Sequence, residues 1–309
     1  MINRELIRLK LVQVLYSYIQ KGTYRPDVAE KELLLSLDKA YDLYNYLLLL
    51  MVEVGRMSVR MLEMHQNRSN KLNDGVKWSR KFAENRFILQ LESNRQLRAY
   101  CDEQALSWAD QEDFVRSLYN KVEESEYYKQ YMASETNSYE EDREIWRLIY
   151  RHFICNNEEL ANILEDINVY WNDDKTIVDT FVLKTINRFT EESTAGEPLM
   201  PEYKSDADRD FATKLLYRAI VGQEYYYELI AATTRKWEIN RIALMDRIIL
   251  QLGLAEITSF PNVPISVSIN EYVEIAKMYS TPKSGKYINA TLDTIAKRLI
   301  EEKKLVKES

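Results

Sequence analysis

The chain has 309 residues, enough for two modest domains or one large one and for a sizeable core. Its 7 Gly and 6 Pro are few against averages of about 7% and 5%, and the tight turns of a sheet fold need such residues, so the composition excludes most sheet architectures and points to long helices. A formal charge of −7, from 42 basic and 49 acidic residues, taken whole argues against a nucleic-acid binder, and two cysteines, Cys101 and Cys155, are too few for a disulfide framework and read as thiols of a reducing compartment.

In chain order, the first predicted helix covers residues 3–20. Ile7, Leu11, Val14, Leu15 and Tyr18 follow helical spacing, and Arg4 and Arg8 stand one turn apart on one stripe. Gly22 and Pro26 close it. A second helix is predicted over 28–66, with Gly55 as its point of weakness. Residues 74–131 and 139–170 also read as helical, with polar breaks between them. Gly196, Pro198 and Pro201 then fall within eleven residues, 191–201, which makes this stretch the predicted linker.

Beyond the linker the pattern sharpens. One helix is predicted over 206–234 and another over 238–257, the latter apolar almost all round through Ile242, Leu244, Ile248, Ile249, Leu250, Leu252 and Leu254. A helix with so little polar face belongs at the centre of a bundle. Residues 259–265 form a turn, 267–279 a helix, 281–285 a loop and 286–304 the last helix. Leu148-Ile-Tyr-Arg151 returns as Leu215-Leu-Tyr-Arg218, an echo that chance similarity between amphipathic helices explains at least as well as duplication.

Several classes of function have no support. The longest apolar run, Leu47 to Val52, is far below the roughly 18 residues of a membrane helix, and the amino-terminus has no signal core, so a cytoplasmic protein is expected. His65 and His152 have no Cys or His nearby at metal-ligand spacing. No Gly-x-Gly pair forms a dinucleotide or phosphate loop, and no Gly-x-Ser-x-Gly elbow occurs. The expectation is a protein that is not an enzyme, with no cofactor, no metal and no small-molecule substrate.

The charge is unevenly placed. Residues 110–145 hold 11 acids and 4 bases, and 156–174 hold six acids and no base. Residues 67–98 hold 8 bases and 3 acids, interleaved with Trp78, Phe82 and Phe87. Residues 1–20 carry +2 and 281–309 carry +3. The ends and the one interior basic stretch are thus the regions that can face phosphate. The competing reading of 67–98 is a basic face packed beside the acidic 110–145, and it is the stronger of the two.

The carboxy-terminal third carries three distinctive strings. They are Trp237-Glu-Ile-Asn-Arg-Ile-Ala-Leu-Met-Asp-Arg-Ile-Ile-Leu250, Val263-Pro-Ile-Ser-Val-Ser-Ile-Asn-Glu-Tyr-Val-Glu-Ile-Ala-Lys277 and Lys286-Tyr-Ile-Asn-Ala-Thr-Leu-Asp-Thr-Ile-Ala296. In order and spacing they resemble the NusB family of bacterial transcription antitermination factors, and Arg4 to Tyr18 resembles that family's arginine-rich first helix. The resemblance implies an all-α, non-enzymatic helical bundle with residues 1–20 as its first helix and 201–309 as its core. Residues 21–200 match nothing of the family and read as a helical insertion.

The resemblance further implies binding of boxA-like single-stranded RNA together with ribosomal protein NusE, and through them an indirect partnership with the elongating RNA polymerase during transcription of ribosomal RNA operons. The residues it points to for RNA are Arg4, Arg8 and Lys10 for phosphates, with Lys286, Tyr287 and Asn289 at the last helix. Tyr16, Asp246 and Arg247 match positions that face the protein partner; an internal ion pair of Asp246 with Arg247 is the structural alternative. Three departures weaken the RNA surface: Glu5 inside the basic motif, Gln251 in place of the family's Arg, and Ala290 in place of its Gly. Two competitors follow. A NusB-like domain also fronts some ribosomal RNA methyltransferases, but this sequence has no cofactor loop; a protein-interaction module that has lost RNA binding fits Glu5 and the net charge better.

Overall fold

A computed structural model of the chain describes residues 1–22, 25–72, 76, 78–171, 173–233, 242–281, 283–305 and 307. The predicted all-α class holds, with no strand among the described residues beyond an isolated bridge between Ile2 and Tyr203. The helices, in chain order, are α1 (Arg4–Lys21), α2 (Pro26–Leu72), α3 (Arg86–Ser93), α4 (Arg95–Glu103), α5 (Glu112–Glu123), α6 (Glu126–Ala133) and α7 (Tyr139–Ile149). They continue as α8 (Glu158–Ile167), α9 (Lys175–Arg188), α10 (Asp206–Val221), α11 (Gln223–Thr233), α12 (Leu244–Ser259), α13 (Ile265–Tyr279) and α14 (Ser284–Glu301). The chain divides into two compact units, Met1 with Asp38–Glu202 and Ile2–Leu37 with Tyr203–Ser309.

In the second unit, α12 packs against α1, α10, α11, α13 and α14. Its ten residues from Ile248 to Ile257 are all buried, as its nearly unbroken apolar sequence predicts. Each fully buried Leu or Ile there contributes about 1.5–3 kcal/mol. α1 begins at the N-cap Asn3, whose side chain accepts from the Leu6 amide at 2.9 Å. Glu5 in the first turn complements the positive helix end. The predicted helix over 206–234 is two helices, parted at Gly222, where a Cβ would lie 2.6 Å from the Tyr226 ring and 2.9 Å from the Arg218 carbonyl. Residues 238–241 of the predicted central helix lie outside the described residues.

In the first unit, α2 runs unbroken through Gly55, because the missing side chain lets Ile88 of α3 approach; a Cβ would stand 2.8 Å from it. The stretch 74–131, read as one helical region, contains four short helices. Asn85 and Asn94 cut it by capping α3 and α4, accepting from the Ile88 and Leu97 amides. α7 passes into one π-helical turn at Tyr150–Ile154 before α8. α9 has no counterpart in the sequence reading. Its β-branched run (Thr176, Ile177, Val178, Thr180, Val182, Thr185, Ile186) is weak helix material, and the buried Val178, Phe181, Val182 and Ile186 supply the helical spacing that holds it.

Candidate functional site

The most concentrated polar chemistry of the second unit lies inside it. Arg8 is 3% exposed and makes a two-pronged pair with Glu256 of α12, Nε to Oε2 and a terminal nitrogen to Oε1, both at 2.8 Å. Its other terminal nitrogen reaches Glu271 of α13 at 3.1 Å. Glu256 is fully buried and also accepts from the Ser268 hydroxyl at 2.8 Å and the Tyr272 hydroxyl at 3.1 Å. Burial works against the Arg8 charge, but the hydrogen bond to Glu256 and the attraction of Glu256 and Glu271 outweigh it and raise its pKa. Burial first, and then the Glu256 charge, push the Tyr272 phenol far above its usual range, so it remains a donor. One guanidinium thus ties α1, α12 and α13 together.

This placement corrects the reading of the basic motif. Arg8 and Lys10 were expected to face phosphate; Arg8 is saturated by carboxylates and Lys10 is fully buried. Both lie in the run Leu6 to Val12, every residue of which is buried. Arg4 alone of the three reaches the surface. Its side chain is 37% exposed, its guanidinium lies 4.7 Å over the Phe211 ring, and Asp208 is 3.6 Å away. Gln251 is fully buried and donates to the Ala219 carbonyl at 2.7 Å, so the departure from Arg occurs at an interior position and not on a surface.

The start of α14 is different. Lys283, Lys286 and Asn289 are exposed and Tyr287 is half-buried. Asn289 and Asn270 line a cavity of about 400 Å³ between α13 and α14, with Lys297 and Ile300 at its edge. The loop before α14 is pinned from below: Asp246 accepts from the Ser280 hydroxyl at 2.6 Å and the Ser284 hydroxyl at 3.0 Å. Asp246 is therefore a loop anchor, 9% exposed, in place of a partner-facing or Arg247-paired group. Arg247 is half-buried beside Tyr227, and Tyr16 is 37% exposed on α1, with Gln20 donating to its hydroxyl.

Three bases of the interior stretch 67–98 are tied to acids of their own unit. Arg86 pairs with Asp142 at 2.7 Å and Glu191 at 2.9 Å, Arg80 with Glu84 at 2.5 Å, and Lys81 with the carbonyls of Ser134 and Thr136 and with Glu141. The packed-face reading of this stretch is the one the geometry supports; Arg68, Lys71 and Arg95 remain exposed.

The sequence reading missed Glu256, Glu271, Ser268 and Tyr272. A signal was present: Glu256 lies in the nearly unbroken apolar stretch 248–257 and Arg8 is flanked by apolar residues in the first helix, and a charge so placed is too costly to bury without an opposite one. Among the described residues no group of three His, Cys, Asp or Glu is placed to hold a metal ion, and no helix is long and apolar enough to cross a membrane.

Residues 175–297 match the model of the NusB family, from the first residue of α9 into α14. The transcription antitermination protein NusB of Salinibacter ruber is 35% identical over 134 residues, which is 41% of this chain and 82% of that protein. That of Dictyoglomus turgidum is 36% identical over 95 residues, 31% of this chain and 66% of the relative. That of Thermotoga maritima is 44% identical over 70 residues, 23% and 49% of the two chains. A solved structure of Thermotoga maritima NusB is 30% identical and covers 38% of this chain and 72% of its own, with a TM-score of 0.29.

Proposed function

Because the chain belongs to the NusB family of transcription antitermination proteins, we propose that it binds boxA-like single-stranded RNA together with ribosomal protein NusE and carries both to the elongating polymerase on ribosomal RNA operons. The observation that carries the reading is the family relation across 82% of a relative. Its mechanism is scaffolding, without catalysis. RNA contact falls to Arg4 and to the start of α14. There Lys286 neutralises phosphate, the Tyr287 ring edge or face meets an unpaired base, and Asn289 offers a donor and an acceptor to a base edge. Tyr16 and Arg247 are the partner-facing residues, while Asp246 serves by fixing the loop on which Lys286 and Tyr287 stand. The family match begins at Lys175, so on this reading residues 38–174 are the addition to the family bundle, and α9, unassigned in the sequence reading, falls within the family part.

One observation favours a second reading, a protein-interaction module without direct RNA contact: Arg8 and Lys10 are withdrawn from the surface and Glu5 is exposed beside them. Titration of labelled boxA RNA at low salt, with and without NusE, decides. Saturable binding that weakens linearly on a log–log salt plot is expected. No binding in either arm leaves the interaction module as the function.

A further inference from the structure

A pocket of about 410 Å³ opens in the first unit between α2, the segment before α3, and helices α5 and α6. Five of its lining residues carry rings: His65, Trp78, Phe82, Tyr119 and Tyr128. Trp78 is 43% exposed, although it is the largest apolar side chain available, and its ring lies 4.5 Å from that of His65. Phe82 and Tyr128 meet edge to face at 5.0 Å deeper in. Such rings present negative faces that attract cations, most of all where water is excluded.

Glu123 is the one carboxylate of the lining and Lys129 its one ammonium group. It accepts from the Tyr119 hydroxyl at 3.0 Å, and no cation stands within ion-pair distance of it among the described residues. Burial, and then the neighbouring Tyr128 and Glu123, push the Tyr119 phenol above its usual range, which keeps it a donor and holds Glu123 in place. Lys129, which also lines the pocket, is matched by Glu126 at 3.0 Å, and nearby Arg80 by Glu84 at 2.5 Å. The site therefore offers aromatic faces and one carboxylate without an ion pair, while its one lysine is held by Glu126, a combination that suits a positive group with apolar surface of its own.

We propose that this pocket is a binding site for an organic cation, an alkylammonium or guanidinium group held between Trp78 and Tyr128 against the carboxylate of Glu123. The group can arrive on a free polyamine or on a lysine or arginine side chain of a basic peptide. It is independent of the RNA reading, since no residue of α1 or α14 takes part.

Calorimetric titration of the full-length protein tests it with three probes: spermidine, a tri-arginine peptide and adenosine monophosphate. Saturable binding of a cationic probe is expected, reduced about tenfold by Trp78→Ala and about fivefold by Glu123→Gln. Both variants should keep the thermal midpoint of the parent, because Trp78 is half-exposed and glutamine still accepts from Tyr119. Tighter binding of the peptide identifies a partner's basic segment as the source, and tighter binding of spermidine identifies a free cation. No saturable heat with either cation, equal affinity in both variants and parent, or preference for the nucleotide overturns the proposal.

Discussion

The two units handle basic residues in opposite ways. In the second, one arginine of α1 goes to the centre of the bundle and the cations at the start of α14 stay in water. In the first, a long basic stretch stays near the surface, and Arg80, Lys81 and Arg86 within it are matched with acids and carbonyls of the same unit. The net charge of a segment is therefore a poor guide to its field. Residues 67–98 hold more bases than the two ends, yet several of them are offset, whereas Lys283 and Lys286 face solvent without a recorded ion pair among the described residues.

Removing Glu256 is the most damaging way to probe this contrast. Glu256→Ala leaves Arg8 buried and half-satisfied and strips the acceptor from Ser268 and Tyr272, so chemical denaturation should show a loss of about 3–5 kcal/mol. Adding Arg8→Met to Glu256→Leu should recover part of that loss. A loss below about 1 kcal/mol in the single variant would mean that the pair is wet and that Arg8 is free to turn outward.

The matching test in the first unit is Asp142→Ala. Asp142 is 2% exposed and accepts from Arg86 and from the Tyr131 hydroxyl at 2.5 Å. Because Arg86 keeps Glu191 and the Asn137 carbonyl, and the Tyr131 hydroxyl keeps Asn85 and a long bond to the Lys81 carbonyl, the expected cost is smaller, about 2 kcal/mol. Asp246→Ala should cost about 1–2 kcal/mol by freeing Ser280 and Ser284, and should weaken RNA binding through the loosened loop. Lys286→Ala should leave stability within about 0.5 kcal/mol of the parent and lower the salt slope of RNA binding by about one. An unchanged slope would remove Lys286 from the phosphate contacts.

The smallest effect concerns the thiols. Burial pushes Cys101 up to about 12 and Cys155 up to about 11. Both stay protonated at neutral pH, so alkylation at pH 7.5 should run well below the rate of free cysteine and recover it on unfolding. Fast labelling of Cys155 alone would show that the turn after α7 opens.

How much could be read from the sequence differs between the units for a physical reason. The helices of the second unit follow continuous apolar periodicity, and α12, α13 and α14 begin and end within a few residues of the predicted bounds wherever residues are described. In the first unit the breaks are made by Asn85 and Asn94, whose capping depends on side-chain hydrogen bonds that leave the apolar pattern undisturbed. α9 is invisible to propensity because tertiary burial overrides its β-branched residues. The surface residues of the site (Arg4, Lys286 and Asn289) lie where their residue types suggest. Arg8 does not, because its direction is set by Glu256, 248 positions away, and no local window contains that partner.

The division of the chain also fixes an order of events during synthesis. Residues 38–202 form a contiguous unit, but α1 joins a core whose central helix ends at Ser259. At about 5–20 residues per second, α1 leaves the ribosome roughly ten to fifty seconds before α12 exists to receive it. The first helix made is thus among the last to find its place. During that interval Leu6, Ile7, Leu9, Leu11 and Leu15 lack the core that covers them in the finished protein. A nascent chain halted between these points should expose an apolar α1 to chaperones while the first unit is already folded, and Arg8 within that helix would then be a positive charge still in search of Glu256.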